Sequence, residues 1–206
     1  MAADPADVAR DYAVDVIAAV VLAAGSGSRF GGAKQLAELD GMPLLEHALR
    51  AVEAVAAIER IVVVLGARAE EVRAGVDAGS AEVVVCDDWE EGQAASLRCG
   101  IDAIDGADAA LLTLGDMPRI TPQVIARFAE LAVEHGSETR ARAVYDGVPG
   151  HPVVLGSAYF AALSGLSGDV GARELLKKIG TYPIECGHLC SAADVDTPEA
   201  LENLRR

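Results

Sequence analysis

Continuous blocks of apolar residues alternate along the chain with blocks in which apolar residues recur every three or four positions. The continuous blocks, rich in valine, isoleucine and leucine, are typical of strands buried on both faces of a sheet. They predict strands over residues 15–24, 60–66, 81–86, 107–116, 141–147, 151–156 and 181–186. The helical spacing predicts helices over residues 42–56, 67–76, 92–105, 121–136, 157–165, 169–180 and 197–206.

Several of these helices carry start or stop signals. Thr121 and Thr197 each stand directly before a proline, an order typical of an N-cap followed by the first helical residue. Gly136 follows a histidine and is a C-terminal stop signal for the same helix as Thr121. Pro43 is suited to the first helical position of the segment 42–56.

Strands that alternate with helices in this way predict a three-layer α/β sheet that is mostly parallel. The strands at 141–147 and 151–156 can pair across the turn Gly-Val-Pro-Gly at 147–150, which predicts a small antiparallel excursion. No internal repeat or long linker is visible. We therefore expect a single domain over residues 14–206, after a flexible leader at 1–13.

Two segments with polar or glycine-rich character directly follow predicted strands. One is the loop after strand 15–24, and the other is Gly115-Asp116. In parallel α/β sheets, ligands bind beyond the carboxyl ends of the strands. Both segments are therefore expected at the same edge of the sheet.

The charge balance limits the partners that the chain can bind. It has 17 Lys and Arg residues against 32 Asp and Glu residues, for a net charge of −15. Such a chain repels nucleic acid and anionic membranes, so neither is expected as a partner. The first residues are acidic where a secretory signal would be basic, and the apolar run Val16 to Ala24 is too short to span a bilayer. We therefore expect a cytoplasmic protein.

Four cysteines are too few for a disulfide framework in 206 residues. The segment Cys186-Gly-His188-Leu-Cys190 supplies three potential zinc ligands but no fourth one nearby, whereas a structural zinc site needs four. A zinc site and ordinary half-buried thiols both remain open at this point.

The loop at residues 22–36, LAAGSGSRFGGAKQL, is compatible with three kinds of phosphate site. A dinucleotide fingerprint needs a third glycine where Phe30 stands, and an acidic residue at the end of the next strand, where Gly66 stands. A P-loop needs Lys directly after glycine and then Ser or Thr, but Ala33 intervenes and Gln35 occupies the hydroxyl position. Both motifs therefore fail at the residue that carries their chemistry.

The third interpretation is a glycine-rich turn whose backbone N–H groups point at phosphate oxygens. Arg29 and Lys34 would supply positive charge to the same oxygens. The alternative is a surface turn with two solvated cations.

Together with four further segments, this loop resembles the MobA-like nucleotidyltransferases, and in particular the branch that makes molybdenum cofactor cytidylate. The segments are GQAASLRCGI at 92–101, LGDMPRITP at 114–122, GHPVVL at 150–155 with GDVGARELL at 168–176, and DVDTPEAL at 194–201. The resemblance covers about residues 16–204. It implies a three-layer α/β/α Rossmann-like nucleotidyltransferase sheet.

The resemblance also implies a reaction. CMP would be transferred from CTP to the terminal phosphate of molybdopterin with release of pyrophosphate, and Mg²⁺ or Mn²⁺ would be the cofactor. A client molybdoenzyme or its chaperone would be a further partner. Such a reaction depends mostly on positioning and on neutralising the charge of the phosphates.

The resemblance implies catalytic roles for Arg29, Lys34 and Asp116, and metal binding by Asp116 and Asp196. The alternatives are a salt bridge for Arg29, a turn cap for Asp116 and compensation of a helix dipole for Asp196. The implied nucleotide-binding residues are Leu22, Ala23, Ala24, Gly25, Ser26, Gly27, Lys34, Ser96 and Gly115. The implied acceptor-binding residues are His151, Asp169 and Arg173. For Ser96, simple helix–sheet packing is an equal alternative, and for Arg173 a surface ion pair.

Ala24 bears on the choice of nucleotide, because the guanylyltransferase branch has glycine at this position. The added methyl narrows the base pocket and favours a pyrimidine, an effect of at most about 1–3 kcal/mol. A GTP-dependent enzyme and a different phosphorylated acceptor therefore remain alternatives. From other classes, an NAD(P)-dependent oxidoreductase and a non-catalytic carrier of the molybdenum cofactor remain open.

Overall fold

The computed structural model describes residues 16–166 and 171–206, without the side chains of residues 171–174. The leader predicted at 1–13 lies outside this range. Nine strands are described: β1 (Ile17–Ala23), β2 (Glu38–Leu39), β3 (Met42–Pro43), β4 (Arg60–Leu65), β5 (Glu82–Val85), β6 (Ala109–Leu114), β7 (Arg140–Tyr145), β8 (Val148–Gly156) and β9 (Tyr182–Glu185).

The α-helices of the described residues are α1 (Leu44–Glu53), α2 (Ala69–Gly75), α3 (Gln93–Ala103), α4 (Pro122–His135), α5 (Phe160–Ser164), α6 (Gly171–Ile179) and α7 (Pro198–Leu204). Short 3₁₀ turns cover Lys34–Leu36, Trp89–Glu91, Gly136–Glu138 and Ser157–Tyr159. None of the helices in the described part of the chain is both long and apolar enough to cross a membrane.

Seven of the strands form one sheet in the order β5-β4-β1-β6-β8-β7-β9. β5, β4, β1 and β6 are parallel to one another, β8 is antiparallel to both β6 and β7, and β9 is parallel to β7. The predicted fold class, a mostly parallel α/β sheet with a small antiparallel excursion, is confirmed.

The central strand shows why the sheet has a helical layer on each face. All seven residues of β1 are buried, and successive side chains point to opposite faces of the sheet. Ala19 and Val21 belong to the core that also holds Leu49 of α1, whereas Val20 packs in the second core with Leu97 of α3. A continuous apolar run is what a strand covered on both faces requires.

Helix α3 lies unusually close to the central strand. A Cβ atom built on Gly100 would be only 2.4 Å from Cγ1 of Val20. Since real Cβ atoms do not approach a carbon so closely, glycine is required for this contact. The close packing fixes α3 against the sheet, and its N-terminal end then reaches the edge where β1 and β6 end.

Two hairpin turns differ from the sequence prediction. The turn predicted at 147–150 is wrong, because the chain reverses at Asp146 and Gly147, with φ of 50° and 80°, and β8 already begins at Val148. A second hairpin, β2–β3, was not predicted and turns at Asp40 and Gly41, with φ of 53° and 81°. Both are Asp-Gly pairs, the strongest short signal for a tight hairpin, so the sequence contained the information.

Helix starts also differ in detail. Pro43 precedes α1 and pairs in β3 instead of forming the first helical turn. Thr197 caps α7 as predicted, since its Oγ1 accepts a hydrogen bond from the N–H of Ala200 at 3.2 Å. Thr121 holds the N-cap position of α4, but its side chain makes no capping hydrogen bond there.

Candidate active site

The loop after β1 and the residues after β6 meet at one edge of the sheet, as the sequence predicted. The strands pair in parallel up to Leu22 opposite Leu114, and the N–H of Gly115 continues the ladder to the carbonyl of Leu22 at 2.9 Å. Asp116 therefore leaves the sheet directly beside the residues that begin the glycine-rich loop.

The loop depends on the backbone freedom of Gly27. This residue has a φ of 63°, and a Cβ atom built on it would be 2.0 Å from the carbonyl oxygen of Gly32. Its carbonyl accepts hydrogen bonds from the N–H groups of Phe30 and Gly31 at 3.0 and 2.9 Å. The turn is thus closed on itself, and it brings Lys34 back towards the end of β1.

Gln35 holds the first half of the loop in place, a role that sequence reasoning missed. Its side chain is buried, and Nε2 donates to the carbonyls of Ala23 at 2.6 Å and Gly25 at 3.2 Å. In the sequence, Gln35 is notable only because it occupies the hydroxyl position of a P-loop motif. Its position directly after Lys34 links the conformation of the cation to that of residues 23–25.

Four charged side chains form a cluster at this edge. Lys34 Nζ is 2.5 Å from Asp116 Oδ2 and 2.9 Å from Asp196 Oδ1. Arg29 reaches the other oxygen of Asp196 at 2.8 Å, although 72% of its side chain is exposed. The side chains of Lys34 and Asp116 are only 13% and 19% exposed. The structure thus brings together all four residues that were predicted for catalysis and metal binding.

The C-terminal segment delivers Asp196 to this cluster. The N–H of Val195 donates to the carbonyl of Asp116 at 2.9 Å, which ties the segment across the end of β6. Val195 itself is fully buried with Leu44 of α1 and Leu201 of α7. Asp196 is therefore held by packing on one side and by the cap of α7 on the other.

The cluster changes the acid–base behaviour of its members. Burial opposes the charged form of Lys34, but Asp116 and Asp196 outweigh this effect and raise the pKa of Lys34 above its ordinary 10.5. The hydrogen bond from Lys34, with a smaller contribution from Arg29, lowers the pKa of Asp196 below its ordinary 3.8. The cluster therefore keeps Lys34 as an ammonium and Asp196 as a carboxylate at neutral pH.

The two carboxylates have the chemistry of a divalent metal site. Oδ1 of Asp116 is buried and makes no hydrogen bond, so it remains open to a further ligand. Among residues 16–166 and 171–206, no three His, Cys, Asp or Glu residues form a group that could hold a metal alone. Mg²⁺ commonly takes only one or two carboxylates and completes its shell with water and substrate phosphates. Asp116 and Asp196 fit that pattern.

A cavity of about 350 Å³ opens beside the cluster. Every residue predicted to bind the nucleotide lines it, except Gly27, which instead supports the loop. The lining residues are Leu22, Ala23, Ala24, Gly25, Ser26, Lys34, Gln35, Trp89, Glu90, Gly92, Gln93, Ser96, Leu114, Gly115 and Asp116. Ser96 lies on the first turns of α3 and is 5% exposed. This position is compatible both with a role in packing and with contact to a ligand.

A second cavity, of about 390 Å³, adjoins the first and shares Leu22, Gln93 and Leu114 with it. Its walls are mostly apolar side chains from the sheet, α3, α5 and α6. Its polar lining residues in the described part of the chain are Gln93, Arg142, Tyr145, His151 and Asp194. Of the predicted acceptor residues, His151 lies here. Asp169 lies outside the described residues, as does the side chain of Arg173.

His151 is neutral in this second cavity. Burial, with a smaller contribution from the nearby charge of Arg142, lowers the pKa of His151 to about 4. Its Nδ1 is 3.3 Å from the carbonyl oxygen of Leu112. Because a carbonyl only accepts, Nδ1 carries the proton and Nε2 is left with a lone pair.

Arg142 was missed by the sequence analysis, since it lies within a strand and belongs to none of the motifs. Its Nε donates to the carbonyl of Gly150 at 3.1 Å. That hydrogen bond joins β7 to the residue before His151. Arg142 thereby places a guanidinium beside the imidazole in the second cavity.

The two C-terminal cysteines take part in local hydrogen bonds. Sγ of Cys186 donates to the carbonyl of Ile184 at 3.4 Å, and Sγ of Cys190 donates to the hydroxyl of Tyr145 at 3.7 Å. Cys186 is fully buried in the core. Cys190 is half-buried, and within the described part of the chain Cys186, His188 and Cys190 do not form a group that could hold a metal ion.

Comparison with known protein families identifies the family to which the chain belongs. The model of the MobA-like NTP transferase domain matches residues 19–183. The chain belongs to the MobA-like NTP transferase family. The resemblance found in the sequence motifs is thereby confirmed.

Among the relatives of this MobA-like chain is the nicotine blue oxidoreductase of Paenarthrobacter nicotinovorans. It is 31% identical over 205 residues, which cover 94% of this chain and 98% of the relative. The solved structure of Rv0371c from Mycobacterium tuberculosis H37Rv superposes with a TM-score of 0.80 and 29% identity, over 93% of this chain and 97% of that one.

A structure of Rv0371c in complex with manganese has a TM-score of 0.77 and 27% identity, over 92% of this chain and 97% of that one. A nucleotidyl transferase from Methanothermobacter has a TM-score of 0.76 and 25% identity, over 93% of this chain and 96% of that one. The MobA-like chain described here is thus a nucleotidyltransferase by family and by fold.

Proposed function

We propose that the protein transfers CMP from CTP to the terminal phosphate of molybdopterin and releases pyrophosphate. The observation that carries this proposal is the junction of two cavities at Leu22, Gln93 and Leu114. Lys34 and Asp116 line the first of these cavities, and Asp196 contacts Lys34. A transferase for two sizeable substrates needs such a junction, because the two reacting phosphates must meet at one charged point.

In this mechanism the triphosphate lies beside Lys34 and Arg29, with the base in the 350 Å³ cavity. An oxygen of the acceptor phosphate attacks the α-phosphorus, and the bond from the α-phosphorus to the bridging oxygen of pyrophosphate breaks. Both the attacking phosphate and the leaving pyrophosphate are anions, so no general base is needed. Lys34 neutralises the charge that builds on the phosphate oxygens, and its raised pKa keeps it charged throughout.

Asp116 and Asp196 would hold a Mg²⁺ or Mn²⁺ ion. Such an ion acts as a template for the triphosphate and as a Lewis acid. The open Oδ1 of Asp116 and the manganese complex of Rv0371c support this assignment. The proposed substrates are small intracellular molecules, so we also propose a cytoplasmic enzyme.

The choice of CTP rests on the methyl group of Ala24. This residue is 6% exposed and lines the nucleotide cavity, and its Cβ packs beside Trp89 over Gly66. A glycine in its place would leave more room at this wall for a larger base. The experiment is a thermal-shift panel of CTP, GTP, ATP and NADPH, each with and without Mn²⁺, since a ligand of the native state raises the melting temperature. We expect the largest shift with CTP and Mn²⁺.

The transfer itself is tested with molybdopterin, CTP and Mg²⁺, followed by chromatography of the cytidylylated product. Asp116→Asn is the matched variant, because it keeps the shape of the side chain and removes its charge. We expect product from the wild-type protein and little from the variant. No cytidylyl product together with no CTP affinity would rule the proposal out, and a stronger response to GTP would replace CTP by GTP.

An oxidoreductase is the second candidate, favoured by the name of the nicotine blue relative. The end of β4 argues against a dinucleotide there. A Cβ atom on Gly66 would be 2.6 Å from Cβ of Trp89 and 2.8 Å from Cβ of Ala24, so an acidic side chain for the ribose could not be placed at this position without repacking. NADPH binding in the same panel, with oxidation of NADPH in the presence of a dye, would favour this candidate.

A further inference from the structure

The chain contains one tryptophan, and it lines the nucleotide cavity. Trp89 begins the 3₁₀ turn Trp89–Glu91, between β5 and α3. No role for it followed from the sequence motifs, and the proposed transfer mechanism does not use it. Its side chain is half-buried, which leaves part of the indole accessible.

Trp89 can occupy its position because Gly66 has no side chain. Cβ and Cγ of Trp89 lie 2.6 and 2.7 Å from the point that a Cβ of Gly66 would occupy, and Cβ of Ala24 lies 2.8 Å from the same point. Trp89 and Ala24 therefore pack side by side over the backbone of Gly66. The N–H of Ala67 also donates to the carbonyl of Ala24 at 3.1 Å, which ties the end of β1 to this wall.

The cavity has two chemically different ends. One end carries Lys34 and Asp116 and suits a triphosphate. The other lies over Gly66, at the end of β4 on the opposite side of β1 from β6, and is lined by Ala24 and Trp89. A nucleotide has the same division, with a charged tail and a flat, uncharged ring system. Aromatic side chains bind bases by stacking because every base has a π-face.

We propose that Trp89 is a specificity-determining residue, and that the base of the bound nucleoside triphosphate lies against its indole ring. The ring and the methyl group of Ala24 together limit the pocket to a pyrimidine. This inference rests on the proposed nucleotide site. The competing explanation is that Trp89 serves only to pack over Gly66.

The first test follows the fluorescence of the protein, which is specific because Trp89 is the sole tryptophan. The protein is titrated with CTP, with GTP and with inorganic tripolyphosphate, which has no base, all in the presence of Mg²⁺. We expect CTP to change the emission with the same half-saturation as its binding measured by calorimetry. Tripolyphosphate is expected to bind without that change.

The second test compares Trp89→Leu with Trp89→Phe. Leucine keeps the Cβ and Cγ atoms that pack over Gly66 and removes only the ring, so folding should be retained. We expect Trp89→Leu to weaken CTP about tenfold, to lower the preference for CTP over GTP, and to leave tripolyphosphate affinity unchanged. Trp89→Phe should restore most of the CTP affinity. Tyr182→Leu, at an exposed aromatic residue on β9, is the matched control and should change none of these values.

The outcomes separate this inference from the proposed function. If CTP raises the melting temperature while the emission stays constant and Trp89→Leu keeps its CTP affinity, the inference is wrong and the cytidylyltransferase proposal stands. If GTP changes the emission and CTP does not, the choice of CTP and the pyrimidine limit are wrong, and the contact between base and indole stands. Equal losses of CTP and tripolyphosphate in Trp89→Leu would show a purely packing role.

Discussion

Lys34 is the more shielded of the two cations in the candidate site. Its ammonium lies between the carboxylates of Asp116 and Asp196, at 2.5 and 2.9 Å, and is largely shielded from water. Arg29 contacts Asp196 as well, but from the exposed side. Charge held in a shielded site acts more strongly on a ligand than charge in water. Lys34 should therefore contribute more to transfer than Arg29.

Replacing Lys34 by methionine tests this order. We expect Lys34→Met to lower the rate of cytidylyl transfer roughly 100-fold, because it removes the shielded positive charge. Arg29→Met should lower the rate about tenfold or less, because exposed charges are screened by solvent. The two rates are measured under the same saturating CTP and Mg²⁺. Equal losses of rate in the two variants would contradict a larger contribution of Lys34 than of Arg29.

The same variant gives a second measurement. Without the ammonium, the carboxylates of Asp116 and Asp196 face each other without a cation between them. We therefore expect Mn²⁺ to raise the melting temperature of Lys34→Met more than that of the wild-type protein. An equal or smaller shift would show that the metal does not use these two carboxylates.

His151 makes the stability of the folded protein depend on pH in the mildly acidic range. The pKa of His151 is about 4 in the folded protein and 6.5 in the unfolded chain. Between these pH values the unfolded chain therefore binds a proton that the folded protein does not bind. Stability contributed by neutral His151 is therefore present above pH 6.5 and is lost as the pH falls towards 4. Urea unfolding between these pH values should show a loss of at most about 1.4 kcal/mol per pH unit from this group.

The variant His151→Gln should remove this part of the pH dependence, since glutamine does not titrate. His135→Gln, at an exposed histidine on α4, is the control and should keep the wild-type profile. A parallel pH profile in His151→Gln would show that the imidazole is not responsible.

At the level of elements, two helices that begin with the same residues differ in their capping hydrogen bonds. Thr121 and Thr197 precede proline in the same way, yet only Thr197 accepts a capping hydrogen bond. Oγ1 of Thr121 is buried and makes no hydrogen bond. The two helices therefore begin with the same residues but with different energetics, and only α7 is linked through its cap to Asp196.

The two threonines form a matched pair for mutation. Thr197→Ala should lower the free energy of unfolding by about 1 kcal/mol, because the N–H of Ala200 loses its acceptor. It should also weaken Mn²⁺ binding, since Asp196 precedes the cap directly. Thr121→Ala should change stability by less than about 0.5 kcal/mol and leave metal binding intact. Chemical denaturation and Mn²⁺ titration check both; similar effects from both variants would contradict the difference in capping.

The contact between α3 and β1 is the element packing on which both cavities depend. Gly100→Ala would force Cβ into Cγ1 of Val20 and should cost about 1–3 kcal/mol, although alanine favours a helix. Gly165→Ala is the control, because a Cβ there meets only ordinary contacts, at 3.8 Å or more. Thermal unfolding should separate the two variants, and CTP affinity should fall only in Gly100→Ala. An unchanged melting temperature in Gly100→Ala would mean that α3 can shift without cost.

At the scale of the whole molecule, the electrostatics oppose an anionic substrate. The net charge is −15, and at the site the two cations Arg29 and Lys34 are already paired with the two carboxylates. A nucleoside triphosphate therefore meets no excess of positive charge. A divalent cation bound at the site would supply the positive charge that the triphosphate needs.

Nucleotide affinity should accordingly depend on metal. We expect CTP to bind at least about tenfold more weakly in EDTA than in Mg²⁺, as measured by calorimetry. Cytidine, which has the same base and no phosphates, is the control and should bind equally under both conditions. Metal-independent CTP binding would show that the loop and its two cations hold the triphosphate unaided.

Local sequence patterns were enough to predict the α/β class, the mostly parallel sheet and the edge on which the site lies. These follow from apolar runs and from the position of Gly115-Asp116 and the loop after strand ends, both local properties of the chain. The motifs also indicated Lys34, Asp116 and Asp196. The turn predicted at 147–150 was misplaced because two local turn signals adjoin there, Asp146-Gly147 and Gly-Val-Pro-Gly.

Which residues from distant segments meet could be read only from the folded structure. The distance from Lys34 to Asp196 and the position of Arg142 at the second cavity both depend on packing between segments far apart in the chain. The same holds for Trp89, whose place follows from a close approach to Gly66. No local pattern encodes such contacts, because they arise when the sheet and its covering helices are packed together.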